Sequence, residues 1–496
     1  MNGSSPEELF FIEPDGSNRE AARRLGYRIV DLLVDSAADA AERAPLDRDV
    51  AQPQSVYVPS REGRSLDSLF PELDRFVRHG MNPGHPGYLG HMDTIGSAIG
   101  AFSDAIVSGL NNNMLAFEMS PVWSELERRL MSWATRLFNL GEDDSPRTGI
   151  SRPTGSLVSG GTLANMTALL VARNALGGSL RAERGLGSDP STLCFIASEH
   201  GHYSFQKAAN LLGLGREGWV RAPADRHGRV QVEAMERIVR ELRDAGRTPF
   251  ALVGIAGTTV TASIDPLREI GALARREGLW FHVDAAYGGA IALSAALRPK
   301  LDGVEAADSV TFNPQKWMYV PKVCASILFR DERDVEKHLR EDFLYGNSNQ
   351  KTTGERAVNL GEYTLQGTRR VDALKLYLTL EHLGTVRIAG WIEGHVALAK
   401  RMSTRIESEP ALELLQHPYL NIVGFRHLGG RAPDDPSLDA RTRAIQERIE
   451  SEGRAWLSLP HYLGRKWLRA VILHPRANQE LLDGVIDDVL RIGAEI

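Results

Sequence analysis

The chain has 496 residues, 42% of them hydrophobic and 25% charged, with a net charge of −6 at pH 7. That is the profile of a globular protein with a large core, with no basic surplus to recommend nucleic acid or an anionic membrane as a partner. The two cysteines, Cys194 and Cys324, lie in apolar runs, the polar start at residues 1–9 has no signal-peptide pattern, and no apolar run reaches 18 residues. Buried free thiols in a reducing compartment, and hence a cytoplasmic enzyme, are expected.

In chain order, residues 1–20 are polar. A helical pattern at 20–41 follows, then Pro- and Gly-containing connections to about 90, interrupted by a short amphipathic segment at 66–79. Residues 1–95 therefore read as a helical N-terminal extension without a sheet, suited to packing on another domain or another subunit. From 96 to 385 the period alternates between strand and helix. Short buried strands are predicted at 192–197, 250–255, 279–283, 309–312 and 325–329. One intervening helix is punctuated by Asp265 as a cap, Pro266 in the first turn and Gly278 at the stop. The alternation implies an α/β domain with a mostly parallel sheet covered on both faces. From 386 to 496, strands at 419–426 and 467–473 and helices at 439–453 and 479–492 describe a smaller α+β domain.

Ligands of such sheets sit beyond the carboxyl ends of the strands. Two chemically suggestive residues fall there. Asp284 ends the run His282-Val283-Asp284-Ala285-Ala286-Tyr287, and Lys316 follows the next strand, 32 positions later, in Asn313-Pro314-Gln315-Lys316-Trp317. Pyridoxal 5'-phosphate (PLP) requires such a pair: a lysine to form a Schiff base with its aldehyde, and a carboxylate to keep its pyridine nitrogen protonated. A lysine in this role needs its pKa lowered by desolvation or a neighbouring cation. Taken singly, Lys316 would pass for a surface lysine and Asp284 for a helix cap. Ala285 and Ala286 are small enough to let a flat ring lie close, so a larger side chain at Ala286 should obstruct it.

Three further segments fit the same cofactor. Ser159-Gly160-Gly161-Thr162 precedes a helical pattern at 163–175, where bare backbone N–H groups and the helix dipole would suit a phosphate. It is neither GxGxxG nor a P-loop, which speaks against a dinucleotide-dependent oxidoreductase. His202, in Glu199-His200-Gly201-His202-Tyr203-Ser204, could stack on the ring, with His200 as its rival. Two histidines can also mean metal, but no cysteine or third histidine completes a zinc site. The Thr259 hydroxyl, in Gly257-Thr258-Thr259, could reach the ring oxygen or a substrate carboxylate, or merely stabilise a turn.

On these motifs the chain resembles the PLP-dependent group II amino-acid decarboxylases, the family of the aromatic-L-amino-acid, glutamate, cysteine-sulfinate and diaminobutyrate enzymes. The resemblance runs from about His85-Pro86 to Pro475. It implies PLP fold type I, aspartate-aminotransferase-like, and a homodimer with shared active sites acting on a small-molecule L-amino acid. By position, Lys316 resembles the Schiff-base lysine, Asp284 the pyridine partner and His202 the stacking histidine. Gly161, Thr162 and Asn313 match phosphate-side positions, Thr259 the family threonine, and Arg469 an arginine common to the substrate subclasses. A gap-free count from Lys316 places Tyr345 where the family carries a tyrosine that protonates the product carbon. A two-residue slip would put Phe343 there, which resembles the aldehyde-forming enzymes. The segment Asn112-Asn113-Met114-Leu115 is closer to the non-aromatic members, so a non-aromatic substrate is expected. Asp93 could meet a substrate amine or cap a helix.

Overall fold

The computed structural model describes residues 9–46, 57–141, 154–176, 185–186, 192–342, 351–352, 355–356 and 358–496. By packing, the chain forms two compact units. One comprises Met92–Arg426 and Arg469–Leu473, the other Met1–His91, His427–Leu468 and His474–Ile496.

The first unit is built on a seven-stranded sheet. Its strands are β1 (Gly155–Val158), β2 (Leu193–Ser198), β3 (Trp219–Ala222), β4 (Thr248–Ile255), β5 (Trp280–Ala285), β6 (Ser309–Phe312) and β7 (Ala325–Phe329), in the order β1-β7-β6-β5-β4-β2-β3. The run from β3 to β6 is parallel throughout. β7 is antiparallel to both β6 and β1, so β1 points the same way as β6. β2, β6 and β7 are buried at every position, which requires cover on both faces and suits their apolar and small polar residues.

The helix Gly161–Ala175 packs closely because Ala164 and Ala168, both fully buried, present almost no side chain. The helix Leu267–Glu277 stops at Gly278, whose φ of +64° is left-handed and suits glycine. Asp265 does not cap that helix as expected. It is buried, and its carboxylate accepts the backbone N–H groups of Val230 (2.8 Å) and Ile255 (2.8 Å), tying the start of the helix segment to β4. Beyond the large sheet, the 24-residue helix Thr385–Ser408 precedes a three-stranded sheet of Leu412–Leu414, Ile422–His427 and Leu468–Val471, with the second strand in the middle.

The second unit joins both ends of the chain. It holds the helices Arg19–Ala38, Leu66–Arg78, Leu438–Glu452 and Gln479–Glu495. Within it the Leu89 N–H donates to the Trp456 carbonyl (3.0 Å) and the Tyr88 ring lies 5.1 Å from that of Trp456. No helix among the described residues is long and apolar enough to cross a membrane.

Candidate active site

The carboxyl ends of five strands that point one way converge on a cavity of about 250 Å³. After β1 come Ser159, Gly160, Gly161 and Thr162. After β2 come His200 and His202, after β4 Gly257, Thr258 and Thr259, at the end of β5 Asp284 and Ala286, and after β6 Asn313, Gln315 and Lys316. Every cofactor-side residue singled out in the sequence therefore lines one hollow. Phe343 and Tyr345 lie outside the described residues. Asn112, Asn113 and Met114 do not line this hollow: Asn112 accepts from Trp123 Nε1 (2.9 Å) and Asn113 from the Leu115 N–H (3.1 Å), while Met114 is buried. A larger groove of about 650 Å³, lined by Arg128, Arg129, Arg136, Trp133 and Tyr377, gathers none of the site residues.

Lys316 sits in a turn closed by its own N–H on the Asn313 carbonyl (3.1 Å). The next residue anchors it. Trp317 is fully buried, stacks on Tyr287 at 5.3 Å and donates its indole N–H to His395 Nδ1 (3.1 Å). Tyr287 in turn donates to Asn421 Oδ1 (2.8 Å). Burial drives the Lys316 amine below the ordinary lysine value. Asp284 and Asp93 oppose that shift, and Arg469 and Lys322 add to it. A shift in this direction favours the free base, the form that attacks a carbonyl.

Asp284 is buried, and its carboxylate accepts from Asn165 Nδ2 at 2.9 Å and from the Ala286 N–H at 3.1 Å. His202 is fixed by the Ser204 N–H, which donates to Nδ1 at 3.2 Å, so in the neutral ring the proton belongs on Nε2. Burial lowers the His202 pKa, against the attraction of Asp284. His200 shares the cavity and is likewise lowered by burial. The Thr259 carbonyl accepts from Arg469 (2.8 Å), which brings that arginine to the β4 turn.

The opposite wall is unfinished. Gly160 has a φ of +112°, and a Cβ on Gly161 would come within 2.9 Å of Asn313 Nδ2 and 3.5 Å of Ala286 Cβ. Asn313 is buried, yet its Oδ1 has no hydrogen-bond partner among the described residues. A helix start without a side-chain cap and a glycine whose Cβ would crowd Asn313 leave the free N–H groups and the room that a phosphate-bearing ligand would use. The residues present therefore fit PLP. Among the described residues no group of three or more His, Cys, Asp or Glu is placed to hold a metal ion.

Two residues of the site were not singled out from sequence. Asn165 reads as one polar position in a helical pattern, and His282 as part of an apolar strand. The available signal was their period: His282 and Asp284 are two apart on a strand, and Asn165 lies four after Gly161 on a helix.

Comparison with known proteins agrees with this geometry. The chain is 31% identical over 453 residues to the aspartate 1-decarboxylase of Aliivibrio fischeri, covering 84% of this chain and 80% of the relative. It is 28% identical over 493 residues to the L-2,4-diaminobutyrate decarboxylase of Rhizobium meliloti, covering 97% and 94%. Among solved structures, the apo form of mouse CSAD superposes with a TM-score of 0.86 at 25% identity, over 96% of this chain and all (100%) of that one. The rice (Oryza sativa) TDC structure with PLP and tryptamine shares the fold at a TM-score of 0.85 and 23% identity, over 98% and 99%. The family model described as the pyridoxal-dependent decarboxylase conserved domain matches residues 53–428. The chain thus belongs to the PLP-dependent group II amino-acid decarboxylases, with fold type I architecture and the activity of a PLP-dependent carboxy-lyase.

Proposed function

We propose that the chain removes CO2 from Cα of a non-aromatic L-amino acid and releases the corresponding amine, with Lys316 as the residue that carries the cofactor. The observation that supports this most is the meeting of Lys316, its amine depressed by burial, with Asp284 in one cavity. PLP, when bound, supplies an electron sink for the bond broken at Cα. The rest falls to side chains. Ser159, Gly161, Thr162 and Asn313 would hold the phosphate, and Asp284 would face the ring nitrogen. His202 would lie against the ring, Ala286 would leave room for it, and Thr259 would offer its hydroxyl. Tyr345, carried by the family resemblance, would deliver the proton to Cα.

Two features support a charged rather than aromatic side chain on the substrate. Lys322 and Asp93 form an ion pair (2.5 Å) near enough to Lys316 to act on its charge. The relatives above are named for aspartate and diaminobutyrate, which both carry a second charged group. The family resemblance further supports a homodimer with shared active sites, the two buried free cysteines support a cytoplasmic setting, and the changes of periodicity along the chain support segments at 1–95, 96–385 and 386–496.

The test is a screen of L-amino acids for CO2 release by purified protein with a borohydride-sensitive yellow absorbance. CO2 with stoichiometric amine from a charged substrate is the expected result. CO2 with ammonia and peroxide would shift the assignment to aldehyde formation and to Phe343. A Lys316→Ala protein should lose the band and at least about a thousandfold in rate, and retention of both would overturn the scheme.

A further inference from the structure

A polar ladder runs through the otherwise apolar sheet directly behind Asp284. Trp280, His282 and Asp284 alternate along β5 and so share one face, while the β6 register sets Ser309 opposite His282 and Thr311 opposite Asp284. His282, Ser309 and Thr311 are each 0% exposed. Asn165, on the helix Gly161–Ala175, bonds to this face. Its Nδ2 donates to Asp284 Oδ2 (2.9 Å) and Ser204 Oγ (3.0 Å), and its Oδ1 accepts from Thr311 Oγ1 (2.7 Å) and meets His282 Nε2 (3.1 Å). His282 Nδ1 meets Ser309 Oγ (2.9 Å), which also receives the Trp280 indole N–H (2.9 Å), and lies farther, at 3.2 Å, from the Ser309 carbonyl.

The direction of the bonds at Asn165 follows from the Asp284 end, and at His282 Nδ1 from the nearer Ser309 hydroxyl. A carboxylate only accepts, so Asn165 must turn its amide nitrogen to Asp284 and its oxygen to His282. That oxygen requires a proton on His282 Nε2. An indole only donates, so Ser309 accepts from Trp280 and is free to give its hydroxyl proton to His282 Nδ1. A neutral imidazole satisfies both, as expected for a ring so buried. Protons thus point one way, from Trp280 through Ser309, His282 and Asn165 to Asp284. Asn165 is the joint: both of its amide hydrogens and its oxygen are engaged, and no rotation of it preserves the set.

We propose that Asn165 is a positioning residue that, held by His282 and Thr311, aims the Asp284 carboxylate at the cofactor ring nitrogen and sets how firmly that nitrogen keeps its proton. This rests on the reading of Asp284 as the ring-nitrogen partner. The test uses full-length protein loaded with PLP carrying ¹⁵N at the ring nitrogen, whose resonance reports protonation directly. In Asn165→Leu the resonance should move toward the unprotonated position across the pH titration, since a bond to a charged group is lost. Thr311→Val, nearly isosteric, should move it less and in the same direction. Asp284→Asn separates the two readings. If it leaves the resonance in place, the assignment of Asp284 falls, and the proposal with it. If it moves the resonance but Asn165→Leu does not, the proposal alone is overturned and Asn165 is merely structural. Should Asn165→Leu fail to fold, Thr311→Val carries the decision: no movement overturns the proposal, and a shift supports it.

Discussion

The wall of the cavity that carries Asp284 and the wall that carries Gly161 are finished in opposite ways. Behind Asp284 the protein supplies its own partners: Asn165, His282, Ser309 and Thr311 hold one another in a fixed proton order before any ligand arrives. Around Gly161 the protein withholds them, leaving a helix start without a side-chain cap and space that a Cβ would crowd. The first wall is built to hold a charge in one place, the second to receive one. Preorganised polar groups spare reorganisation during the reaction, whereas unsatisfied groups lend their unspent hydrogen bonds to binding. Damage to the first should therefore fall mainly on turnover, and damage to the second on cofactor affinity.

The largest effect expected is from Asp284→Asn. It should cut kcat by roughly 10²–10³-fold, while the protein still takes up PLP and folds with an unchanged circular dichroism spectrum. A fall in PLP affinity alone, with kcat intact at saturating cofactor, would break the comparison. Gly161→Ala sets a methyl 2.9 Å from Asn313 Nδ2 and should weaken PLP binding by about tenfold with kcat little changed once loaded, measured by absorbance titration.

A third prediction concerns pH. Burial lowers the His282 pKa from 6.5 to about 4, despite the attraction of Asp284. The unfolded chain therefore takes up a proton on this ring that the folded chain refuses, and stability falls as pH drops from about 6.5 through about 4. His474, also lowered to about 4 by burial, adds to the same limb, while Asp265, raised to about 7, works against it. Comparison with His282→Gln isolates the histidine. The stability advantage of the natural chain over the variant should shrink across that window by an amount on the order of 3 kcal/mol, read from thermal melts at a series of pH values. A constant difference would mean that the ring is already charged near neutrality, and the fixed proton order would not exist. The smallest effect belongs to the rim. The Lys322–Asp93 pair is partly exposed, so Lys322→Ala should change stability by no more than about 1 kcal/mol. It should instead raise KM for an acidic substrate several-fold with kcat preserved, and a KM unchanged for every substrate would remove the rim from specificity.

Much of this was legible in the sequence because parallel sheets bury their strands on both faces. The runs that became β2, β4, β5 and β6 are short and apolar enough to stand out, and the residues just past their ends line the site. β1 and β3 were not legible. Each is a four-residue segment at an edge of the sheet, and only pairing with β7 or β2 makes them strands. Asp265 misled because Asp before Pro at a helix start is a local signal, while its real partners, the N–H groups of Val230 and Ile255, arrive through tertiary packing. Asn165 was hidden for the same reason. Nothing in its own helix shows that β5 and β6 would bring a carboxylate, an imidazole and a hydroxyl to it.

The anchoring of Lys316 has a mechanical consequence. Its main chain is clamped from behind by the turn to Asn313 and from in front by the buried Trp317 indole, stacked on Tyr287 and bonded to His395. The backbone cannot swing, so every displacement of the amine must come from the torsions of its own side chain. The nitrogen is thereby confined to an arc about a fixed pivot. In the role proposed for Lys316, such an amine would rejoin its partner carbon without a search, because little freedom would be gained on release or lost on recapture.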